Sequence, residues 1–365
     1  MGGVARPIGP APGSRVMRRT LVMVGFGLFA IGCASATGPR PASSRVAPVL
    51  DPAGRAALAE EALSILTDAA LGADPLLKAN AIEGLHPAPE RVEPIVRAAL
   101  ADENMGVRFV AAMTVGKLGL RDSAVFVEPL LKDPAREVRA AAIYAIRATG
   151  GDADPTPLAA MLESPVMRER AQAAFILGEL GDPSAVPLLR SAARRGAPLA
   201  RPIEDRLARL QIAEALVKLG DLDAIETVRA ALFPSRPEDL EATALAVQII
   251  GSVGDRRSID QLVYLTAREG PERLPAEVRL AAALALAKLG NPRGWFIAEE
   301  HWRDPAPAIR AQSAFVFGET LGPENADRLR ALMGDASPLV RVAAAAAALR
   351  LTGRGPTTAS VDSPG

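Results

Sequence analysis

The stretch V-R-A-A-A-I-Y-A-I-R-A-T-G-G-D-A-D-P-T-P-L-A-A-M-L, residues 138–162, decides the fold. Val138, Ala141, Ala142, Ala145 and Ile146 fall at offsets 0, 3, 4, 7 and 8, the apolar stripe of a helix that faces a core. Gly150 and Gly151 then stand where a helix ends in a left-handed cap, and Asp152 or Asp154 suits the start of the next one. Pro155 and Pro157 fit a first turn, where a missing N–H costs nothing. The stretch predicts two helices back to back.

Outward from this stretch the same unit recurs. Anchored on the basic residue near the start of each first helix, the units fall at Lys78, Arg108, Arg139, Arg170, Arg209, Thr243, Arg279, Arg310 and Arg341, with Thr243 the one departure from a basic side chain. The steps are 30, 31, 31, 39, 34, 36, 31 and 31 residues. A period near 31 with a helical pair in each unit is the pattern of an all-α solenoid. Gly119, Gly150, Gly181, Gly220, Gly254 and Gly290 sit eleven residues after their anchors, at the expected helix ends. Gly116, Gly178, Gly251 and Gly318 lie inside first helices, where a missing side chain lets a neighbour approach.

The segments V-R-F-V-A-A-M-T-V-G-K-L-G (107–119), V-R-L-A-A-A-L-A-L-A-K-L-G (278–290) and L-G-D-P-S-A-V-P-L-L (180–189) resemble HEAT-type repeats of the phycobilisome-lyase-like subclass. The resemblance covers roughly residues 72–353. It implies an α-solenoid of about nine HEAT-like helix pairs in a right-handed superhelix, without a sheet, used as a protein-binding scaffold. Its enzyme-class alternative is a chromophore lyase or lyase subunit working in the cytoplasm. A third reading is a passive structural spacer in the envelope.

The rest of the chain divides accordingly. Arg18, Arg19 and Thr20 precede twelve uncharged residues, Leu21 to Gly32, followed by Cys33, the single cysteine. Twelve residues are too few to span a bilayer as a helix of about 20 but fit a signal-peptide hydrophobic region. Ala30-Ile31-Gly32-Cys33 resembles a bacterial lipobox, which implies cleavage and lipidation at Cys33, and Ala34 after it implies sorting to the outer membrane. Residues 1–32 are therefore expected to be a signal peptide, with Met17 a more typical start than Met1. Residues 33–53 are expected to be a tether, 54–71 an N-terminal cap helix, 72–353 the repeat array and 354–365 a tail without fixed structure.

Charge balances at 42 basic against 42 acidic residues. Residues 1–33 carry four arginines and no acid, so the remainder stands at 38 against 42, or −4, no footprint for nucleic acid. Two histidines in separate units, no second cysteine and no H-E-x-x-H, G-x-S-x-G or phosphate-loop pattern leave no catalytic constellation. No metal, cofactor or small-molecule substrate is expected. The adjacent Glu299, Glu300 and His301 lie on different helix faces, poor geometry for one metal.

Three features remain. Asp102/Arg108, Asp133/Arg139, Asp304/Arg310 and Asp335/Arg341 repeat at a spacing of six, which suits a structural ladder between units. The long steps place insertions at Arg194–Glu204, Phe233–Asp239 and Glu269–Pro275, the first of them basic, with Arg194, Arg195 and Arg201 as partner-binding candidates. Of the two tryptophans, Trp295 fits the core, and Trp302, beside a unit boundary, is the one expected to meet a partner. The expected partner is another protein of the cell envelope, with the lipid at Cys33 holding the chain to the membrane.

Overall fold

The computed structural model describes residues 51–195, 200–320 and 323–353, and within them it contains helices and turns and no strand. The expected signal peptide, Cys33 and the expected tail after residue 353 lie outside the described residues. The first helix, α1 (Pro52–Leu71), begins on an Asp51 cap whose carboxylate accepts from the Gly54 N–H. Then come α2 (Pro75–Gly84), α3 (Pro89–Ala99) and α4 (Met105–Leu118), with two short 3₁₀ turns over 121–132. The next pairs are α5 (Arg136–Ala148) with α6 (Thr156–Leu162), and α7 (Met167–Leu180) with α8 (Val186–Arg194). They are followed by α9 (Pro202–Lys218) with α10 (Ile225–Ala230), and α11 (Leu240–Val253) with α12 (Ile259–Ala267). The last are α13 (Ala276–Lys288) with α14 (Trp295–His301), α15 (Pro307–Glu319) with α16 (Pro323–Met333), and α17 (Pro338–Gly353).

Each anchor therefore starts a first helix, and each first helix packs on the next: α2, α4, α5, α7, α9, α11, α13, α15 and α17 in succession. Small residues permit the approach. A methyl group at Gly178 would lie 3.0 Å from the Ala215 Cα, one at Gly251 3.0 Å from the Ala285 Cα, and one at Gly318 2.9 Å from the Ala347 Cα. The terminal glycines take the left-handed conformation expected of them, Gly119 with φ 62° and Gly220 with φ 92°.

The array closes. α17 packs on α15 on one side and on both α1 and α2 on the other. A methyl at Gly84 would meet the Leu66 side chain at 2.8 Å and the Ala346 Cβ at 3.0 Å, so α1, α2 and α17 share one core. Leu58, Ala62, Leu66 and Ala70, four residues apart on α1, are buried in that seam. Arg55 donates to the Thr352 carbonyl at 3.5 Å, and Arg330 on α16 stands 3.9 Å from Glu61. The apolar core runs unbroken from unit five back through the seam to unit seven, with a second cluster completing units five to seven.

The helix expected to cap the array is thus its last outer helix. α1 lies between the first helices of units nine and one, as α16 lies between those of units eight and nine. Unit nine takes its first helix from one end of the described chain and its second from the other. The physical reason is burial: α17 presents Val340, Ala344, Ala348 and Leu351 as well as Ala346 and Ala347, and only a helix across the seam covers its second face.

First helices pack on one another, whereas neighbouring second helices make few mutual contacts, so the first helices form the inner ring and the second helices the outer one. Nine helices about 9 Å apart put their axes on a circle of about 13 Å radius.

Candidate functional site

On one edge of the ring, at the starts of the inner helices, the arginine–aspartate ladder takes a definite register. Arg108 grips Asp133 of the next unit through Nε at 2.7 Å and Nη2 at 3.0 Å, and Arg310 grips Asp335 through both nitrogens at 2.8 Å. Lys78 meets Asp102 at 2.6 Å. The guanidinium also reaches its own unit's turn, Arg108 donating to the Asp102 carbonyl at 2.8 Å, Arg139 to that of Asp133 at 2.5 Å, Arg310 to that of Asp304 at 2.7 Å and Arg341 to that of Asp335 at 2.9 Å. So the spacing of six is a side-chain-to-carbonyl bond, and the ion pair spans 25 residues. Burial alone would raise the Asp133 pKa, but the Arg108 guanidinium and the Ala135 N–H outweigh it and hold it low.

Where an aspartate is missing the edge is rebuilt. Ser164 stands in its place in unit four, and Arg136–Glu169 at 2.9 Å and Arg168–Glu137 at 2.6 Å join units three and four. Thr243, in the arginine's position, is buried and donates to the Ala231 carbonyl at 2.8 Å. Asp304 is met by His301 at 3.4 Å rather than by an arginine of unit seven. Arg279, the unit-seven anchor, instead bonds Glu300 at 3.1 Å.

The inner face carries a second belt, near the helix ends. Lys218 bonds Glu179 at 2.7 Å and Glu214 at 2.8 Å, and Ser252 bonds Glu214 at 3.1 Å. Burial would depress the Lys218 ammonium, but the two carboxylates raise it. The Phe175 ring faces Lys218 at 5.7 Å and Lys117, two units away, at 5.8 Å. Near the seam burial pushes the Glu83 carboxyl up to about 7, against the pull of Lys117 and Arg350. His86, whose Nε2 lies 3.0 Å from the Thr114 hydroxyl, is pushed down to about 3 by burial, with Lys117 and Arg350 adding to it. Residue spacing alone gave no sign of this belt, because positions five and nine after the anchor hold Glu, Lys, Phe, Tyr, Met and Ala by turns.

The insertions each follow an outer helix and precede an inner one, so they stand on the edge that bears the arginines. Within the first, residues 196–199 lie outside the described part. Arg195 pairs with Glu163 at 3.2 Å, and Arg201 with Glu204, its Nε at 2.9 Å. Arg194 is exposed and forms no ion pair with another described residue. It lines a groove of about 330 Å³ between the outer helices of units four and five, together with Arg190, Arg209, Asp221 and Asp223. The groove floor is apolar, formed by Ala193, Ala213, Leu216 and Ala224. Arg209 is the anchor arginine of unit five, and here it bonds Asp205 of its own helix at 2.7 Å and the Ala193 carbonyl at 3.2 Å. The inter-unit ties are carried instead by Arg190–Asp221 at 2.7 Å and by Arg206–Asp239.

Trp302 is not the open platform expected of it. It is half-buried against the core, and the Arg303 and Arg328 guanidiniums lie 4.1 and 4.7 Å from its ring centre. Its position beside the unit boundary brings it under α16 rather than out to solvent. Trp295 packs on the core and donates through Nε1 to Asn325 at 3.0 Å. Glu299 is held by Arg328 at 2.6 Å and Glu300 by Arg273 and Arg279, so these acids serve inter-helix pairing. Among the described residues no group of histidine, cysteine and acidic side chains is arranged to hold a metal ion.

Two stretches of this array match models of HEAT-type repeats. Residues 59–147 match the HEAT repeats model, and residues 169–195 match the PBS lyase HEAT-like repeat. Among solved structures it is similar to the complex of CpcE and CpcF of phycocyanin lyase from Nostoc sp. PCC7120, at 20% identity over 70% of this chain and 94% of that one, TM-score 0.37. It is also similar to human deoxyhypusine hydroxylase in complex with glycerol, at 15% identity over 82% and 99% of the two chains, TM-score 0.34. The karyopherin Kap121p is a third, at 10% identity over 91% and 41%, TM-score 0.29. No curated protein matches the chain.

Proposed function

We propose that the protein is a lipid-anchored scaffold of the bacterial envelope that holds another protein on the edge of its ring and performs no chemistry itself. One observation carries the reading. Closure packs the inner helices on one another around the ring, while the insertions of units four to six stand together on the arginine-bearing edge with an open groove between units four and five. A solenoid that presents its irregular segments on one side offers that side to a partner. The leader and Cys33 supply the anchor, and outer-membrane attachment follows from Ala34.

The test uses the full chain. Affinity capture from detergent-solubilised envelope should recover a specific protein with the wild type. A variant in which residues 195–201 are replaced by a short turn should lose it at unchanged thermal midpoint. Cys33→Ser should move the protein to the soluble fraction while leaving capture intact. No specific protein recovered by the wild type, or a wild-type N-terminus without lipid by mass spectrometry, defeats the corresponding half of the reading.

A further inference from the structure

We infer that the groove between α8 and α10 is a receptor for an extended acidic segment of a protein partner, seating its carboxylates on Arg194, Arg190 and Arg209 and an intervening apolar side chain on the floor. This rests on the scaffold reading and names the chemistry of the partner.

Four observations converge on it. The groove holds about 330 Å³, the space of a few side chains. It lies at the 39-residue step, the longest in the array. Its cations retain bonding capacity. Arg194 has no acidic partner among the described residues, Arg190 commits only Nε to Asp221 and is 54% exposed, and Arg209 keeps Nη2 free at 42% exposure. The anchor arginine, which in units two and eight ties one unit to the next, here bonds Asp205 of its own helix and the Ala193 carbonyl and lines the groove.

The floor decides what kind of anion fits. A bare inorganic anion would satisfy the guanidiniums and leave Ala193, Ala213 and Leu216 wet. A peptide that alternates carboxylate and apolar side chains uses both, with planar bidentate bonds to arginine giving register. Asp221 and Asp223 on the rim repel a segment of unbroken acidity, which also favours alternation.

The experiment titrates the purified full-length protein with a fluorescein-labelled eight-residue peptide of alternating Glu and Leu, read by anisotropy. A peptide of alternating Gln and Leu is the control. Binding of the acidic peptide alone is expected, weakening as salt rises from roughly 50 to roughly 300 mM. Arg194→Glu should weaken it about tenfold or more, and Arg194→Gln by a smaller factor, both at unchanged thermal midpoint since the side chain is exposed. Equal binding of the Gln peptide, indifference to Arg194→Glu, or complete displacement by millimolar inorganic phosphate overturns the inference. So does a large gain in peptide affinity on removing residues 354–365, which would make the chain's own tail the occupant. In envelope capture, a partner recovered equally by wild type and Arg194→Glu overturns the groove while the scaffold reading stands. Peptide binding without any envelope partner does the reverse.

Discussion

Units one, two and eight differ from units four to six in how they use the same side chain. In the first set the anchor cation reaches forward to the next unit's aspartate, Lys78 to Asp102, Arg108 to Asp133 and Arg310 to Asp335. In the second set the tie between units is made elsewhere, by Arg190–Asp221, Arg206–Asp239 and the bidentate Arg229–Asp255 pair. Inner helices stack on one another in both arcs. These junctions are tied by charge without needing one particular residue to make the tie. Where another residue makes the tie, the anchor arginine is available for other work.

The comparison breaks most severely at the seam, where the regular arc joins its own beginning. Leu66 is fully buried between α2 and α17, so Leu66→Ala should cost about 2–5 kcal/mol, and Leu66→Asp should open the ring. Scattering should then show a larger radius of gyration; an unchanged radius for Leu66→Asp would mean that closure does not depend on α1. Next in size is a close approach within the regular arc. A methyl at Gly318 would sit 2.8 Å from the Ala347 carbonyl oxygen, so Gly318→Ala should lower stability by about 1–3 kcal/mol in urea unfolding. Smaller again is the contrast of ties. The Asp133 side chain is 6% exposed, and Asp133→Ala should cost about 1–3 kcal/mol by stranding Arg108. Asp205→Ala in the irregular arc, beside the solvent-exposed Arg209, should cost less than about 1 kcal/mol. Equal costs would erase the distinction between the arcs.

The subtlest effect is in pH. Glu83, raised from 4.5 to about 7, favours the folded state while protonated, so its contribution is complete below 4.5 and is lost as pH climbs to 7. His86, lowered from 6.5 to about 3, acts oppositely: its contribution is complete above 6.5 and is lost as pH falls. Between pH 4.5 and 6.5 the two slopes offset each other. Glu83→Gln should therefore make the thermal midpoint rise with pH across that window, and His86→Gln should make it fall. Parallel profiles for both variants would refute the burial of this pair.

The repeat was legible because its determinants are local: a stripe at offsets 0, 3, 4, 7 and 8 and a glycine eleven residues past six of the nine anchors. The start of α1 at Pro52 rather than at residue 54 was also written locally, in Asp51-Pro52, a cap followed by a first-turn proline. Closure was not, because the contact of Arg55 with Thr352 spans 297 residues and no pattern within one unit records it. Trp302 and the inner-face belt escaped for a related reason. Their surroundings are set by helices one or two units away, Arg328 over the indole and Lys117 over Phe175.

The shared ninth unit also alters how the molecule comes apart. An open array frays from its termini inward, each outermost pair having only one neighbour. Here every pair has two neighbours, and heat or denaturant must first split the α1–α17 junction before any unit is left half-supported. That junction unites the most distant segments of the described chain, so it carries the greatest loop-closure entropy and forms last on folding. Cutting the chain inside the unit-four insertion and joining the residues beyond Asp51 and Gly353 by a linker would turn this slow step into a local one.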